Sequence, residues 1–206
     1  MYTGDGTEAD GWPSQDKWMD FDTMFDLNKG NMQASCENDF DVPNTSDDEV
    51  GWLYDSIKNV SSITNVPESF ILAVVMQEST GCVRVWTTNY GVTNPGLMQS
   101  HDGSGTCNTG TPSTKGTVSN PCEQDQINQM IYDGSYGTSS GDGLQKTIAQ
   151  AAVSDVSQYY KGARIYNSGS LNGNDLGAPG ATRCYASDIA NRLTTWWTGT
   201  GSCTLA

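Results

Sequence analysis

The chain has a single histidine among its 206 residues, and its six cysteines stand at no paired metal-ligand spacing. An ordinary zinc site draws on several such ligands close together in sequence, so neither a metal nor an organic cofactor is expected. Basic residues are also scarce, with 10 Lys and Arg against 24 Asp and Glu for a net charge of -14. A phosphate-binding protein needs a basic face that releases counterions, which excludes nucleic acid as a partner. No apolar run approaches the roughly 20 residues of a membrane span, so no membrane partner is expected. There is no internal repeat, and no charged-then-apolar leader stands at the start; the expectation is a mature chain, monomeric, whose leader has been removed.

Glycine is plentiful, at 23 residues, while hydrophobic residues make up only 35% of the chain. That balance suits a loop-rich globular protein better than a bundle with short connections. Cys36, Cys82, Cys107, Cys122, Cys184 and Cys203 form an even set spread along the sequence, which is read as a disulfide framework and hence an oxidising, secreted, extracellular setting. Six cysteines allow about 15 pairings, and the sequence does not choose among them. Asn44-Thr45-Ser46 and Asn59-Val60-Ser61 match the glycosylation acceptor pattern, in agreement with a secretory route.

Periodicity predicts a mainly α domain. Residues 1–13 are Gly- and Asp-rich and read as a loosely held arm. Ser14 is a candidate cap for a helix over Gln15–Leu27, with Trp18, Phe21 and Phe25 on one face and Lys29-Gly30 as its stop. Ser46 and Glu49 have capping-box spacing before a stripe of Val50, Leu53, Tyr54, Ile57 and Val60. Pro67 suits a first helical turn, and Phe70–Met76 is apolar all round, which marks a central helix. The turn formers between Gly81 and Pro95 predict a small hairpin, followed by polar loop from Ser100 to Asn120. Further helices are expected over Cys122–Tyr132, Gly143–Tyr160 and Cys184–Trp197, with a loop over Asp133–Gly143 and a short segment, Lys161–Asn167, ending in Asn-Ser-Gly. The division expected is an N-terminal arm, 1–45, whose short helix packs on a catalytic domain, 46–206.

Glu78 closes the central apolar run. Desolvation at such a place favours the protonated carboxyl and raises its pKa, and a carboxyl held protonated can deliver a proton to the leaving oxygen of a glycosidic bond. Taken alone, the segment is equally well read as a surface glutamate at the end of a core helix.

Four stretches in order extend the reading. Ala73–Ser79 (AVVMQES), Gly96-Leu97-Met98-Gln99, Ile127–Leu144 and Arg164-Ile165-Tyr166-Asn167-Ser168-Gly169 resemble the motifs of the lytic transglycosylase and goose-type lysozyme superfamily of peptidoglycan-cleaving enzymes, including its secreted fungal members. The resemblance covers roughly Val50–Trp197. It implies a lysozyme-like single domain with a small β-ribbon, stabilised by disulfides. The activity it implies is that of a muramidase or lytic transglycosylase acting on the β-1,4 bond between N-acetylmuramic acid and N-acetylglucosamine of bacterial cell-wall peptidoglycan. It also implies that Glu78 is the catalytic acid, that Tyr166 orients the acid or the sugar, and that Ser79, Gly96, Leu97, Met98, Gln99 and Asn167 bind substrate. The alternatives are a chitinase acting on N-acetylglucosamine polymers and a non-catalytic glycan-binding secreted protein.

The second carboxylate separates the chemistries. An inverting hydrolase needs a base about 6.5–9.5 Å from the acid to activate water, whereas an anhydro-forming enzyme uses the substrate's own hydroxyl. In goose-type lysozymes an aspartate stands two residues after the glutamine of the turn; here that place is His101, with Asp102 beside it. Asp102 is the candidate base, or else a turn residue, and His101 a candidate sugar ligand. Tyr90 and Trp86, between Glu78 and the turn, are candidate stacking platforms expected near the cleft, ahead of Trp196 and Trp197.

Overall fold

The computed structural model describes residues 1–194 and 203. The first helix, α1 (Phe21–Phe40), is capped by Asp20, whose carboxylate accepts the Thr23 N–H at 3.0 Å. This corrects the expected Gln15–Leu27 helix. Residues 15–17 make only one 3-10 turn, and α1 passes through Gly30 to end at Asp41, in the left-handed region with φ 53°. Gly30 lies exposed with open space around its Cβ position, so it costs α1 only the weak helix propensity of glycine, about 1 kcal/mol. Met32, Ser35 and Cys36 continue the buried stripe beyond it, and Cys36 is tied to Cys82, so packing overrides the local stop signal.

The second helix, α2 (Asp47–Thr64), carries the expected capping box: the Glu49 N–H donates to Ser46 Oγ at 3.3 Å, and the Ser46 N–H donates to the Glu49 carboxylate at 2.8 Å. Pro67 is the N-cap of α3 (Glu68–Ser79), and every residue from Phe70 to Met76 is at most 1% exposed. This helix is the axis of the fold. Its apolar surface is covered by α1, α2 and the C-terminal helix over Tyr185–Thr194. An antiparallel ribbon follows, β1 (Thr88–Asn89) paired with β2 (Thr93–Asn94), with Thr88 opposite Asn94. Then come α4 (Gln124–Ser135), packed on α2, α5 (Leu144–Gln150), α6 (Ser157–Ser168) and α7 (Tyr185–Thr194).

Two boundaries differ from expectation here. Asp133, Gly134 and Ser135 extend α4 rather than opening a loop. The single helix expected over Gly143–Tyr160 is two helices, and the segment Lys161–Asn167 is the body of the second. Ala152 adopts φ 54°, and Asp155 then accepts the Ser157 N–H at 2.9 Å to start α6. The break lets α6 fold back on α5, and Gly162 makes the contact possible: a Cβ there would stand 2.9 Å from Ile148 Cα. Of the expected Cys184–Trp197 helix, Trp196 and Trp197 lie outside the described residues.

Residues 1–13 are anchored rather than loose. Trp12 is 3% exposed, packs at a tilt against the rings of Tyr2 and Tyr160, and donates its indole N–H to the Thr3 carbonyl at 2.8 Å. The Tyr2 N–H reaches Ser187 Oγ on α7 at 2.8 Å. Trp12, Met24, Phe25 and Met32 share one hydrophobic core with the residues of α2 to α7, so the chain does not divide at residue 45. The described fold is mainly helical with a two-stranded ribbon and three disulfides, Cys36–Cys82, Cys107–Cys122 and Cys184–Cys203. Among the described residues, no helix is long and apolar enough to cross a membrane.

The loop from Ser100 to Asn120 is held to this framework by a buried ion pair. Arg84 meets Glu49 with both side chains out of water, and Arg84 also donates to the Ser119 carbonyl and Asn120 Oδ1, each at 2.8 Å. Burial alone would raise the Glu49 pKa, but N–H groups of Ser46 and Cys122 and the Arg84 charge more than offset it and hold the group ionised.

Candidate active site

Glu78 stands in the last turn of α3, before Thr80 ends the helix at φ 52°. Its side chain is half-buried, and burial pushes its pKa up to about 7, opposed only by the hydrogen bond from Tyr185. The negative end of the helix dipole acts in the same direction as burial. The Tyr185 hydroxyl donates to Glu78 Oε1 at 2.5 Å. Oε2 has no hydrogen bond among the described residues. No arginine or lysine pairs with this carboxyl among the described residues; the nearby Arg192 donates to Gln77 Oε1 at 2.8 Å instead.

Tyr166 lies on α6, beside Glu78. Burial, followed by the charge of Glu78, drives its pKa upward and keeps its hydroxyl neutral. That hydroxyl donates to the Met98 carbonyl at 2.8 Å, and the ring lines a cleft of about 360 Å³ together with Gln99, His101, Asp142 and Asn167. Glu78 is not itself a wall of this cleft; it reaches the cleft only through its neighbour Tyr166. Tyr166 occupies the last turn of a helix closed by Gly169 at φ 77°, rather than the tight turn that Asn-Ser-Gly suggested.

The Gly-Leu-Met-Gln turn takes its shape from Gly96, which has φ 75° and whose Cβ, if present, would stand 2.6 Å from Met130 Cγ and 2.8 Å from the Gly105 carbonyl. The expected substrate roles of Gly96, Leu97 and Met98 are not available to their side chains. Gly96 is buried, and Leu97 and Met98 are fully buried in the core, where an apolar turn is most stable. What Met98 offers the site is its carbonyl, which anchors Tyr166. Gln99 has φ 47° and donates both amide hydrogens internally, to the Trp86 carbonyl at 3.0 Å and the Gly96 carbonyl at 3.1 Å, while its Oε1 accepts from Thr88 Oγ1 at 2.8 Å. One lone pair is left for a ligand, so Gln99 is chiefly the clamp between turn and ribbon.

Ser79 is corrected as a substrate ligand. It is 1% exposed, and its hydroxyl donates to the Val75 carbonyl at 3.0 Å and accepts the Gly81 N–H at 3.2 Å, which finishes the helix end. Asp102 is corrected as the candidate base. Its Oδ1 accepts from Thr93 Oγ1 at 2.9 Å and its Oδ2 from Ser140 Oγ at 3.0 Å; these bonds, Thr93 first, lower its pKa, and it does not line the cleft. The carboxylate that does line it, Asp142, pairs with Lys146 at 2.5 Å and accepts from Gln150 at 2.6 Å, with its pKa lowered chiefly by Lys146. Tyr90, 89% exposed at the ribbon tip, and Trp86, on another cleft, do not gather at Glu78. His101 is exposed at the cleft and has Asp102 Oδ2 at 3.9 Å. Asn167 lines the cleft with its Oδ1 occupied by the Thr182 N–H at 3.0 Å.

Tyr185 was missed by sequence reasoning, although its signal was present. It stands four residues before Ile189 and eight before Leu193, on the same buried stripe of α7, as the one member with a polar tip. Groups of histidine, cysteine and carboxylate able to hold a metal are absent among the described residues.

No protein-family model, curated protein or solved structure matches this chain.

Proposed function

We propose that this chain is a secreted glycosidase that cuts the β-1,4 bond between N-acetylmuramic acid and N-acetylglucosamine in bacterial peptidoglycan, with Glu78 as the general acid. The observation that carries the reading is the state of Glu78: a half-buried carboxyl with its pKa near 7, one oxygen held by Tyr185 and the other without a hydrogen bond among the described residues, near Tyr166, which lines a cleft. Oε2–H donates its proton to the glycosidic oxygen as the C–O bond breaks, and the Tyr185 hydroxyl stabilises the carboxylate left behind.

The second half of the reaction follows from the other carboxylates. Asp102 and Asp142 are each committed to two neighbours, so neither is a free water-activating base. Glu78, now ionised, takes the proton of the muramyl 6-hydroxyl as that oxygen attacks the anomeric carbon. The sugar closes to an anhydro ring, and Glu78 is returned to its protonated form. The likeness of the motifs to those of a peptidoglycan-cleaving superfamily favours peptidoglycan over chitin as substrate, and the raised pKa of Glu78 favours an enzyme over a passive glycan binder. Glu78→Gln is expected to abolish clearing of bacterial walls while circular dichroism stays unchanged; clearing retained by that variant removes Glu78 from the mechanism.

A further inference from the structure

A second cleft, of about 400 Å³, lies between the end of α1 and the loop of residues 108–118. Trp86 lines it and meets Phe40 edge-on, with ring centroids 5.5 Å apart at 83°. Trp12, which is buried, and Trp18, which like Trp86 is half-buried, each spend the indole N–H on a partner. The Trp86 indole N–H makes no hydrogen bond among the described residues. Lys115, an exposed residue that also lines the cleft, makes neither an ion pair nor a hydrogen bond among the described residues, in a chain with 24 acidic residues. The hydroxyls of Thr111, Ser113 and Thr114 add further polar groups to the lining.

The walls are preformed. Cys107–Cys122 closes the loop and Cys36–Cys82 fixes the end of α1. The Thr87 N–H donates to the Gly110 carbonyl at 2.9 Å, and Asn108 Nδ2 donates to the Arg84 carbonyl at 2.9 Å. Gly110 and Gly116 pack backbone to backbone: a Cβ on Gly116 would stand 2.0 Å from the Gly110 nitrogen. An aromatic plane with spare donors and hydroxyls around it, in a rigid cleft within the ~300–1,000 Å³ range of ligand sites, is complementary to a pyranose ring, which has an apolar C–H face and a polar edge.

The geometry points to a second carbohydrate-binding site, in which one N-acetylhexosamine ring of a glycan strand stacks on Trp86 and its polar edge meets Lys115 and the Thr111–Thr114 turn. The choice of an N-acetylhexosamine strand rests on the proposed function. The site adjoins the first cleft through the chain itself, because the Trp86 carbonyl accepts the amide of Gln99, a wall of the Tyr166 cleft. A strand long enough to reach both clefts is held at two points, which favours long polymers over short ones by raising the local concentration of bonds to be cut.

The test is titration of the full Glu78→Gln chain with a soluble hexamer of alternating N-acetylglucosamine and N-acetylmuramic acid, following backbone amide shifts by NMR. Saturable shifts at Thr111–Thr114 and Lys115, alongside separate shifts at Gln99, His101 and Asn167, are expected. Trp86→Ala is expected to weaken the first set at least about tenfold and to leave the second in place. Shifts confined to the Gln99–Asn167 cleft overturn the second site and leave the proposed function standing. Shifts confined to the Trp86 cleft support the second site and count against the proposed function, and no shifts at either overturn both. Because the shifts are first read in the Trp86-containing chain, a poorly folded Trp86→Ala leaves the decision intact, and Lys115→Gln then supplies the substitution.

Discussion

Replacing Glu78 by glutamine tests the protonation state of this carboxyl without any assumption about substrate. In the unfolded chain a glutamate ionises near its ordinary pKa, whereas in the folded chain burial holds the Glu78 proton until about pH 7. Between those values the unfolded state has released a proton that the folded state retains, so the stability of the wild type falls as pH rises through that interval and levels off above it. At 1.36 kcal/mol per pKa unit, the difference between about 4.5 and about 7 amounts to about 3 kcal/mol. Glutamine does not titrate and its carbonyl still accepts the Tyr185 hydroxyl, so Glu78→Gln escapes this loss. Urea unfolding of both proteins at intervals from pH 4 to pH 8.5 reads the effect, and subtracting the two curves removes the other titrating groups. The variant is expected to gain on the wild type steadily up to about pH 7 and no further, by up to about 3 kcal/mol. A difference that is flat across this range, or that favours the wild type as pH rises, refutes a raised pKa at Glu78.

Tyr185→Phe removes the one bond that lowers the Glu78 pKa, worth about 1.5–3 kcal/mol for a bond to a charged group, so the alkaline limb of the rate profile on peptidoglycan is expected to move up by about one pH unit or more; a limb that stays put or moves down contradicts the arrangement. Asp102→Asn keeps the shape of a residue bonded to Thr93 and Ser140, and it is expected to retain kcat within about threefold of wild type, whereas a loss of a hundredfold or more, on the scale of a general base, reinstates it as that base. Arg84→Met leaves Glu49 buried without its partner and is expected to cost about 3–5 kcal/mol in denaturant unfolding at pH 7; a cost under about 1 kcal/mol contradicts the burial of this pair.

Elements fixed by local chemistry were legible in the sequence. The Ser46–Glu49 box, the all-apolar Phe70–Met76 run and the turn formers around Tyr90-Gly91 each specify their structure within a few residues, and each appears where periodicity and turn chemistry put it. Features decided at long range were not. Gly30 reads as a stop only while the buried Met32 and the Cys36–Cys82 bond are unknown, and Ala152 carries no sequence signal for the left-handed turn that separates α5 from α6. The site divides in the same way. Glu78 stands out because hydrophobicity along one helix announces it, whereas Tyr185 reaches it from 107 residues away and Asp102 is bound by Ser140, 38 residues on. Trp86 was expected at the acid because it is near in sequence, and its ring instead lines a separate cleft against Phe40.

The most direct test of the central claim is mass spectrometry of bacterial peptidoglycan digested by the intact protein and by Glu78→Gln. The wild type is expected to release muropeptides ending in anhydromuramic acid, lighter than reducing-end products by one water, and the variant to release none. Reducing-end muropeptides from the wild type would contradict the account of Glu78 as both acid and base, and undiminished release by the variant would contradict Glu78 as the acid at all.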